Sequence, residues 1–141
     1  MEELECIDFQ GNVNIFEYSY LEGHTNGYQV INFVLIPSNN RPYQDIFNFA
    51  VTRIAQEILK VTVMDRHHQE IYRAKGIPER LIAECHRLFG GTIISSTSIQ
   101  NFKSLPEEFR TEPATKVWKR LVNQGLASHD TTSDIYTYTG A

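Results

Sequence analysis

The sequence predicts a single α/β domain of the α+β kind, with a mixed, mostly antiparallel sheet and two helices packed on it. Three observations predict this class. The first third is rich in β-branched and aromatic residues, the second half alternates strand and helix patterns, and no repeat or long linker divides the chain. A length of 141 residues suits one hydrophobic core and is short for two. We therefore interpret residues 1–141 as one domain.

A tight turn organises the first strands. Residues 14–20 alternate apolar and polar side chains, and residues 28–36 are β-branched and aromatic. Between them lies Asn26-Gly27, a dipeptide that accepts the positive φ angles of a two-residue turn. This pattern predicts a β-hairpin.

The next segment has two interpretations. Four of its apolar residues fit a helical stripe that Pro42 could open: Phe47, Val51, Ile54 and Ile58. The string IFNFAVTRI is nevertheless rich in β-forming residues. We favour a second hairpin, with strands at 46–54 and 58–64 and a turn at Gln56-Glu57. In the second of these strands, alternate residues are predicted to share one face: Leu59, Val61 and Val63.

Helix and strand patterns alternate in the second half. Residues 78–88 are predicted to be a helix, with Pro78 in its first turn and Gly90-Gly91 at its end. Its apolar stripe contains Leu81, Ile82, Cys85 and Leu88. Residues 92–96 are predicted to be a short buried strand, parallel to the strand at 59–63 and joined to it by the helix.

A loop, a second helix and a last strand are predicted to follow. Residues 97–110 are largely polar and indicate a loop. Residues 112–124 indicate a helix, with Thr111 as N-cap and Gly125 as its stop. The inner face of this helix contains Ala114, Val117, Trp118, Leu121 and Val122. Residues 134–138 are predicted to be a strand on which Tyr136 and Tyr138 share a face.

Composition and charge indicate a protein of an aqueous, reducing compartment. A net charge of −4 without a basic run argues against a nucleic-acid partner. Cys6 and Cys85 lack metal-ligand spacing and are predicted to be buried free thiols. The acidic N-terminus has no signal-peptide core, and the longest apolar run, 30–37, is too short to span a bilayer. We expect a cytoplasmic protein with no membrane partner.

The segment most informative about function is YRAKGIP, residues 72–78, between a strand and a helix. The start of a helix exposes unpaired N–H groups and the positive end of the dipole, which together bind phosphate. Gly76 would permit close approach of an anion, and Arg73 and Lys75 add positive charge. The pattern favours a pyrophosphate ligand. The same residues also fit a plain loop with a turn glycine and a helix-opening proline.

The string YRAKGIPERLI resembles the YRGKGIG…L stretch of GNAT-type N-acetyltransferases, whose Arg/Gln-x-x-Gly-x-Gly/Ala loop holds the pyrophosphate of CoA. The order that follows is similar: helix, short strand, helix. The second helix carries Thr111-x-x-Ala114-x-x-x-Trp118, which is similar to the family's Asn-x-x-Ala-x-x-x-Tyr. The resemblance covers roughly residues 58–138 and implies a GNAT-like β-α-β-α-β C-terminal half.

This resemblance implies an acyl-CoA-dependent N-acyltransferase, which transfers an acetyl group from acetyl-CoA to a small-molecule or peptide amine. Backbone amides and two cations of the loop would hold the pyrophosphate, and the end of the preceding strand would pair with the pantetheine arm. The implied cofactor-binding residues are Val63, Met64, Arg73, Ala74, Lys75, Gly76 and Ile77. The resemblance assigns no catalytic residue and no metal.

The chain departs from the family pattern at three points, and two of them, Pro78 and Trp118, favour an alternative, a non-catalytic module of the same fold that binds CoA or a protein partner. Pro78 stands at the last Gly or Ala of the loop and has no N–H to donate. Trp118 stands where many members carry a tyrosine that acts as general acid, and indole does not ionise usefully near neutral pH. The usual pair of helices after the first strand is missing.

Two further clusters are interpreted as structural. His67-His68 with Asp65 and Glu70 could be a metal site, but adjacent histidines in a strand point to opposite faces, so a solvated loop is favoured. The hydroxyl run at 95–98 could relay a proton or bind the acceptor. We favour polar residues that turn the chain at the end of a strand.

Overall fold

The computed structural model describes residues 1–38, 46–65 and 72–140. The strands are β1 Glu2–Ile7, β2 Val13–Thr25, β3 Tyr28–Pro37, β4 Phe47–Ala55, β5 Ile58–Met64, β6 Thr92–Ser95, β7 Ala127–Asp130 and β8 Ile135–Tyr138. The helices are α1 Ile77–Phe89, α2 Glu112–Asn123 and a 3-10 turn at Gln100–Phe102. Within the described ranges the strands form one sheet in the order β1-β2-β3-β4-β5-β6-β8-β7. A mixed, mostly antiparallel sheet with two helices is the class that the sequence predicts.

Both predicted hairpins are confirmed. Strands β2 and β3 meet at Asn26 and Gly27, whose φ angles of 53° and 83° are those of the tight turn that the dipeptide predicts. Strands β4 and β5 pair antiparallel around Gln56-Glu57. The helical alternative for this segment is wrong. β4 pairs with a strand along each edge, and its residues from Phe49 to Thr52 are buried on both faces, so its apolar residues need no helical spacing.

A bulge in β5 overturns one expectation about its faces. Ala50 lies opposite Val63 and Val51 lies opposite Val61, which leaves Thr62 as an extra residue. An extra residue reverses the alternation of side chains beyond it. Val63 is therefore 43% exposed and does not share the buried face of Leu59 and Val61.

The crossover between β5 and β6 has the predicted form. These two strands pair in parallel from Ile58 opposite Thr92 to Val61 opposite Ser95, and α1 connects them. Beyond this point β6 ends while β5 continues to Met64. The two strands therefore separate at their carboxyl ends.

Both helices begin and end as the sequence predicts. Gly76 caps α1 with a φ of 74°, and the Thr111 side chain accepts a hydrogen bond from the Ala114 N–H at the start of α2. Gly90 and Gly125 follow the helix ends with positive φ. The buried side chains of the two helices include Leu81, Ile82 and Cys85 on α1 and Val117, Trp118 and Leu121 on α2. No described helix is long and apolar enough to cross a membrane.

The sequence pattern did not predict β1 and β7 as separate strands. In β1 the buried residues are Leu4 and Cys6, between glutamates, and in β7 only Ala127 is buried. Each is an edge strand that buries few side chains, so its apolar periodicity is weak. Both predicted free cysteines are buried, and burial raises the pKa of Cys6 to about 12.

A buried carboxylate fastens α1 to the sheet. Glu84 accepts a hydrogen bond from the Tyr18 hydroxyl on β2 and two from Arg87, each at 2.8 Å. The hydrogen bonds from Arg87 lower the pKa of Glu84 to about 2, against the opposing effect of burial. Burial and the Glu84 charge together raise the pKa of Tyr18.

We expect Glu84→Gln to lower the free energy of unfolding by about 1–3 kcal/mol at pH 7, because it removes charged hydrogen bonds from a buried site. The folded pKa is the lower one, so the wild-type advantage is complete above the ordinary value of 4.5 and is lost as pH falls through about 2. Urea denaturation across this range measures it, with exposed Glu107→Gln as control. A pH-independent difference would contradict the charged assignment.

Trp118 is predicted to be a principal source of stability. Its side chain is 1% exposed and stacks on Tyr136, with the ring centroids 6.0 Å apart. Trp118→Ala should therefore cost about 3–5 kcal/mol in chemical denaturation, and Trp118→Phe should cost less because a ring remains. A loss below about 1 kcal/mol for the alanine variant would show that this residue is not a core residue.

Candidate functional site

A cavity of about 420 Å³ lies where the N-terminus of α1, the first turns of α2 and the end of β5 meet. One wall is the loop from Arg73 to Gly76, which the sequence singles out. Met64 from β5 and Ala114 from α2 form other parts of the lining. The structure thus brings five of the seven predicted cofactor residues to one cavity, and Ile77 lies in the adjoining first turn of α1, where it is buried.

The loop has a backbone suited to an anion. Ala74 and Gly76 both have positive φ angles, 56° and 74°, with Lys75 between them. Alternation of left-handed and ordinary residues turns successive N–H groups toward one concave side. The first helical hydrogen bond runs from the Arg80 N–H to the Gly76 carbonyl, so the turn before it has no partners within the helix.

Cations outnumber carboxylates around this cavity. Arg73 and Lys116 are exposed at its rim, and Lys75 is half-buried beside them. Arg120 is held in place, because it pairs with Glu79 at 3.4 Å and lies over the Phe9 ring at 4.7 Å. Among the described residues of this site, the positive charge outside ion pairs therefore comes from Arg73 and Lys75 in the loop and from Lys116.

Gly76 is required by the fold whatever the ligand. A Cβ atom at this position would collide with the carbonyl oxygen of Ile7 in β1. The residue also has a φ of 74°, which side chains rarely adopt. Close approach of an anion remains a prediction for Gly76, and substituting it would test the fold before any ligand.

The gap between β5 and β6 connects two faces of the sheet. A small cavity of about 50 Å³ occupies it and shares Met64 with the cavity beside α1. It shares Thr62 and Ser96 with a third cavity, of about 480 Å³, on the opposite face. The small cavity thus lies between the two larger ones, and the hydrogen bond from Ser96 to the Val61 carbonyl crosses the gap beside it.

The third cavity combines a polar floor with an apolar rim. Asn32, Thr52 and Thr62 supply polar groups from adjacent strands. Val63 lies here because of the bulge, whereas Met64 faces the cavity beside α1. The two strand-end residues of the predicted cofactor set thus present their side chains to opposite sides of the sheet.

Three hydroxyl residues at the end of β6, Ser95, Ser96 and Thr97, form hydrogen bonds with backbone groups. Ser96 Oγ donates to the Val61 carbonyl at 2.6 Å, and Thr97 Oγ1 donates to the Ser133 carbonyl at 2.6 Å. Ser95 Oγ accepts from the Tyr136 N–H at 2.9 Å. These contacts favour the turn interpretation of the segment. Ser96 nevertheless lines the small cavity in the gap, as do the hydroxyl residues Thr62 and Thr111.

A buried ion pair that the sequence pattern did not predict holds the loop between β6 and α2 beside the gap between β5 and β6. Lys60 on β5 bonds Glu108 at 2.8 Å, with side chains 1% and 0% exposed. Glu108 also accepts hydrogen bonds from the N–H groups of Thr97 and Ser104, at 2.8 and 2.9 Å. A lysine in the middle of an apolar strand was the available signal, because buried lysines are rare unless paired.

The comparisons with known proteins identify no relative. No family model, curated protein or solved structure matches this chain. The resemblance to GNAT-type acetyltransferases therefore depends on the residues alone. Of the histidine cluster, Asp65 is described and accepts a hydrogen bond from the Asn48 N–H at 2.8 Å; residues 67, 68 and 70 lie outside the described residues. No group of three metal-binding side chains occurs in the described ranges.

The structural role of Gly76 gives a matched test. We expect Gly76→Ala to cost about 2–4 kcal/mol, because it adds both left-handed strain and a clash with Ile7. Gly125→Ala is the control, since Gly125 has a similar φ of 76° and open space around it. Its cost should be about 1–2 kcal/mol from strain alone. Equal losses in urea denaturation would show that the contact with β1 is unimportant.

Proposed function

We propose that this protein binds acetyl-CoA in the cavity beside α1 and is an N-acyltransferase that acts on an amine. The proposal depends on one observation. The loop from Arg73 to Gly76, whose backbone suits an anion, lines a cavity that adjoins the gap between β5 and β6. The pyrophosphate lies against the amides of Ala74 to Ile77, with Arg73, Lys75 and Lys116 around it. The pantetheine arm extends along the end of β5 toward the gap.

The backbone of β5 supports this placement. Its pairing with β6 ends at Val61, while Val63 and Met64 continue to pair on the β4 side. The edge that faces the gap can therefore pair with the amide groups of an extended ligand, as a sheet edge pairs with a peptide. In this arrangement the thioester lies in the gap and the acceptor amine approaches from the opposite face.

Direct transfer needs few protein groups. The amine attacks the thioester carbonyl, a C–N bond forms and the C–S bond breaks. The departing thiolate of CoA takes up the proton that the amine loses; because its pKa is that of an ordinary thiol, a strong general acid helps but is not indispensable. Ser96 lies at the gap and can pass a proton to the departing sulfur, although its hydroxyl hydrogen now bonds Val61. Trp118 packs in the core and takes no part in proton transfer.

A second candidate is a module that binds CoA without turnover. The buried, stacked Trp118 favours it, because the position at which the family resemblance implies a general acid is filled by a core residue. Both candidates require the cofactor to bind. They differ only in whether the acetyl group is transferred to an amine.

Binding is tested by isothermal titration of acetyl-CoA into the wild type and three variants. We expect a micromolar or tighter Kd, weakened by about 1–3 kcal/mol in Arg73→Ala through the loss of a charged contact. Lys116→Ala should weaken binding as well. Lys119→Ala is the matched control, because Lys119 is an equally exposed lysine of α2 away from the cavity. No heat and no thermal shift at millimolar acetyl-CoA would refute the proposal.

Turnover separates the two candidates once binding is established. Release of free thiol from acetyl-CoA is measured with a panel of small-molecule and peptide amines. Amine-dependent release identifies the transferase. Tight binding without release across the panel favours the non-catalytic module.

A further inference from the structure

The outer face of β1, β2 and β3 has an unusual composition for a solvent-facing sheet surface. Antiparallel sheets commonly direct apolar residues to the core and polar residues to water. Here Leu4, Phe16 and Ile31 lie on the core side, with α1. The opposite positions include large apolar side chains with high exposure: Ile7 62%, Val13 57%, Ile15 44% and Leu21 78%. We call these four residues, with Glu3, Glu5 and Glu17, the outer patch.

The acidic residues of the outer patch face one another. Glu3 lies directly opposite Glu17 across the β1–β2 pair, and Glu5 lies opposite Ile15. Like charges in directly opposed positions destabilise a sheet. In the described part of the chain no ion pair joins any of these three glutamates to a basic residue. The arrangement therefore carries a repulsion that a cationic partner would relieve.

The surrounding sequence extends this negative field. Arg41 is the first lysine or arginine of the chain, and six acidic residues precede it: Glu2, Glu3, Glu5, Asp8, Glu17 and Glu22. The cations of the described structure lie instead on the helices, in β4 and β5 and in the connecting loops. Residues 1–38 thus form a strongly acidic end of the sheet, whereas the rest of the chain, with 13 lysines and arginines against 11 acidic residues, has a formal net charge of +2.

No described helix or loop covers the outer patch. On the same face, the loop after β6 covers β5 through the Lys60–Glu108 pair, and α1 lies on the other side of the sheet. An apolar sheet surface of this kind is normally buried by a helix or a second sheet. The negative charge of the outer patch limits which molecules can cover it. An anionic membrane, a nucleic acid and the same acidic face of a second copy would all be repelled.

We propose that the outer patch binds a basic amphipathic segment of another protein, with an apolar stripe against Ile7, Val13 and Ile15 and lysine or arginine residues beside Glu3, Glu5 and Glu17. The side chains of this surface lie on the face of the sheet opposite α1, although the Ile7 backbone adjoins the Gly76 loop of the cavity beside α1. The proposal does not depend on acetyl-CoA binding or on acyl transfer. A protein that failed every cofactor test would keep this docking function.

The probe is a 14-residue Leu–Lys peptide with an amphipathic helical pattern, titrated into the ¹⁵N-labelled full chain at low salt. We expect saturable shifts of the amide signals of β1 and β2, and weaker binding as salt is raised. A scrambled Leu–Lys peptide without the apolar stripe and a Leu–Glu peptide with the stripe are the controls. Equal binding of either control, or shifts centred outside β1–β3, would overturn the proposal.

Matched variants assign the interaction to the patch. Glu3→Gln with Glu17→Gln should weaken peptide binding roughly fivefold to tenfold, by analogy with the loss of two exposed ion pairs. The melting temperature should be unchanged or higher, since the repulsion is gone. Glu57→Gln with Glu112→Gln removes the same charge from exposed sites elsewhere and should leave binding unchanged.

Two further measurements complete the test. Ile15→Thr keeps a β-branched residue and should weaken binding by removing apolar contact. Sedimentation of the wild type without peptide should show a monomer. Full binding in the Glu3/Glu17 variant, or a dimer that buries the outer patch, would overturn the proposal.

Discussion

The buried pair of Lys60 and Glu108 is the interaction on which the architecture of the candidate site depends. Lys60 lies in the centre of β5, and Glu108 lies in the long loop between β6 and α2. Removing one partner would leave an unpaired charge in the interior, at a cost of about 3–5 kcal/mol. Because Glu108 also binds the N–H groups of Thr97 and Ser104, the pair ties the later part of the loop to its start and its middle. The loop therefore forms a wall beside the gap between the strands.

Arg110 continues this wall into the last strands. Its guanidinium donates to the carbonyl oxygens of Ser96 and Asp134, at 3.0 and 2.7 Å, and to the Asp134 carboxylate at 2.8 Å. Burial alone would raise the pKa of Asp134, but the hydrogen bonds from Arg110 and His129 lower it. Loop, β6 and β8 are thus joined at the carboxyl end of β6. This network replaces the sheet pairing that β5 and β6 lose there.

The sequence predicted the features that local rules govern. The Asn26-Gly27 turn, the glycines that end the helices and the apolar stripe of α2 each depend on residues close in sequence, and the structure contains all of them. Two features that depend on strand register or on contacts between distant residues were missed, although the parallel pairing of β5 with β6 was predicted. The bulge at Thr62 exists only in the register between β4 and β5, and it moved Val63 to the other face. The loop wall likewise needs Glu108 to meet Lys60 across 48 residues of sequence.

In the candidate site, too, the features that depend on neighbouring residues were predicted and those that depend on distant contacts were missed. The sequence pattern identified the loop from Arg73 to Gly76, because the groups that bind an anion at the start of a helix come from consecutive residues. It could not show that Gly76 lies against Ile7, since that contact joins β1, at one edge of the sheet, to the start of α1, which is distant from β1 in sequence. Lys116 was missed for the same reason. The sequence does not distinguish Lys116 from Lys119, and only the packing of α2 shows that Lys116 lines the cavity.

The short connection after β1 accounts for the most distinctive surface of the molecule. Asp8 accepts hydrogen bonds from the N–H groups of Gln10 and Asn12, which closes a compact turn and lowers the pKa of Asp8. The chain therefore passes from β1 to β2 without the two helices that the family resemblance implies at this point. No other described element covers the outer patch, and the proposed docking of a basic amphipathic segment depends on the apolar, acidic character of these strands.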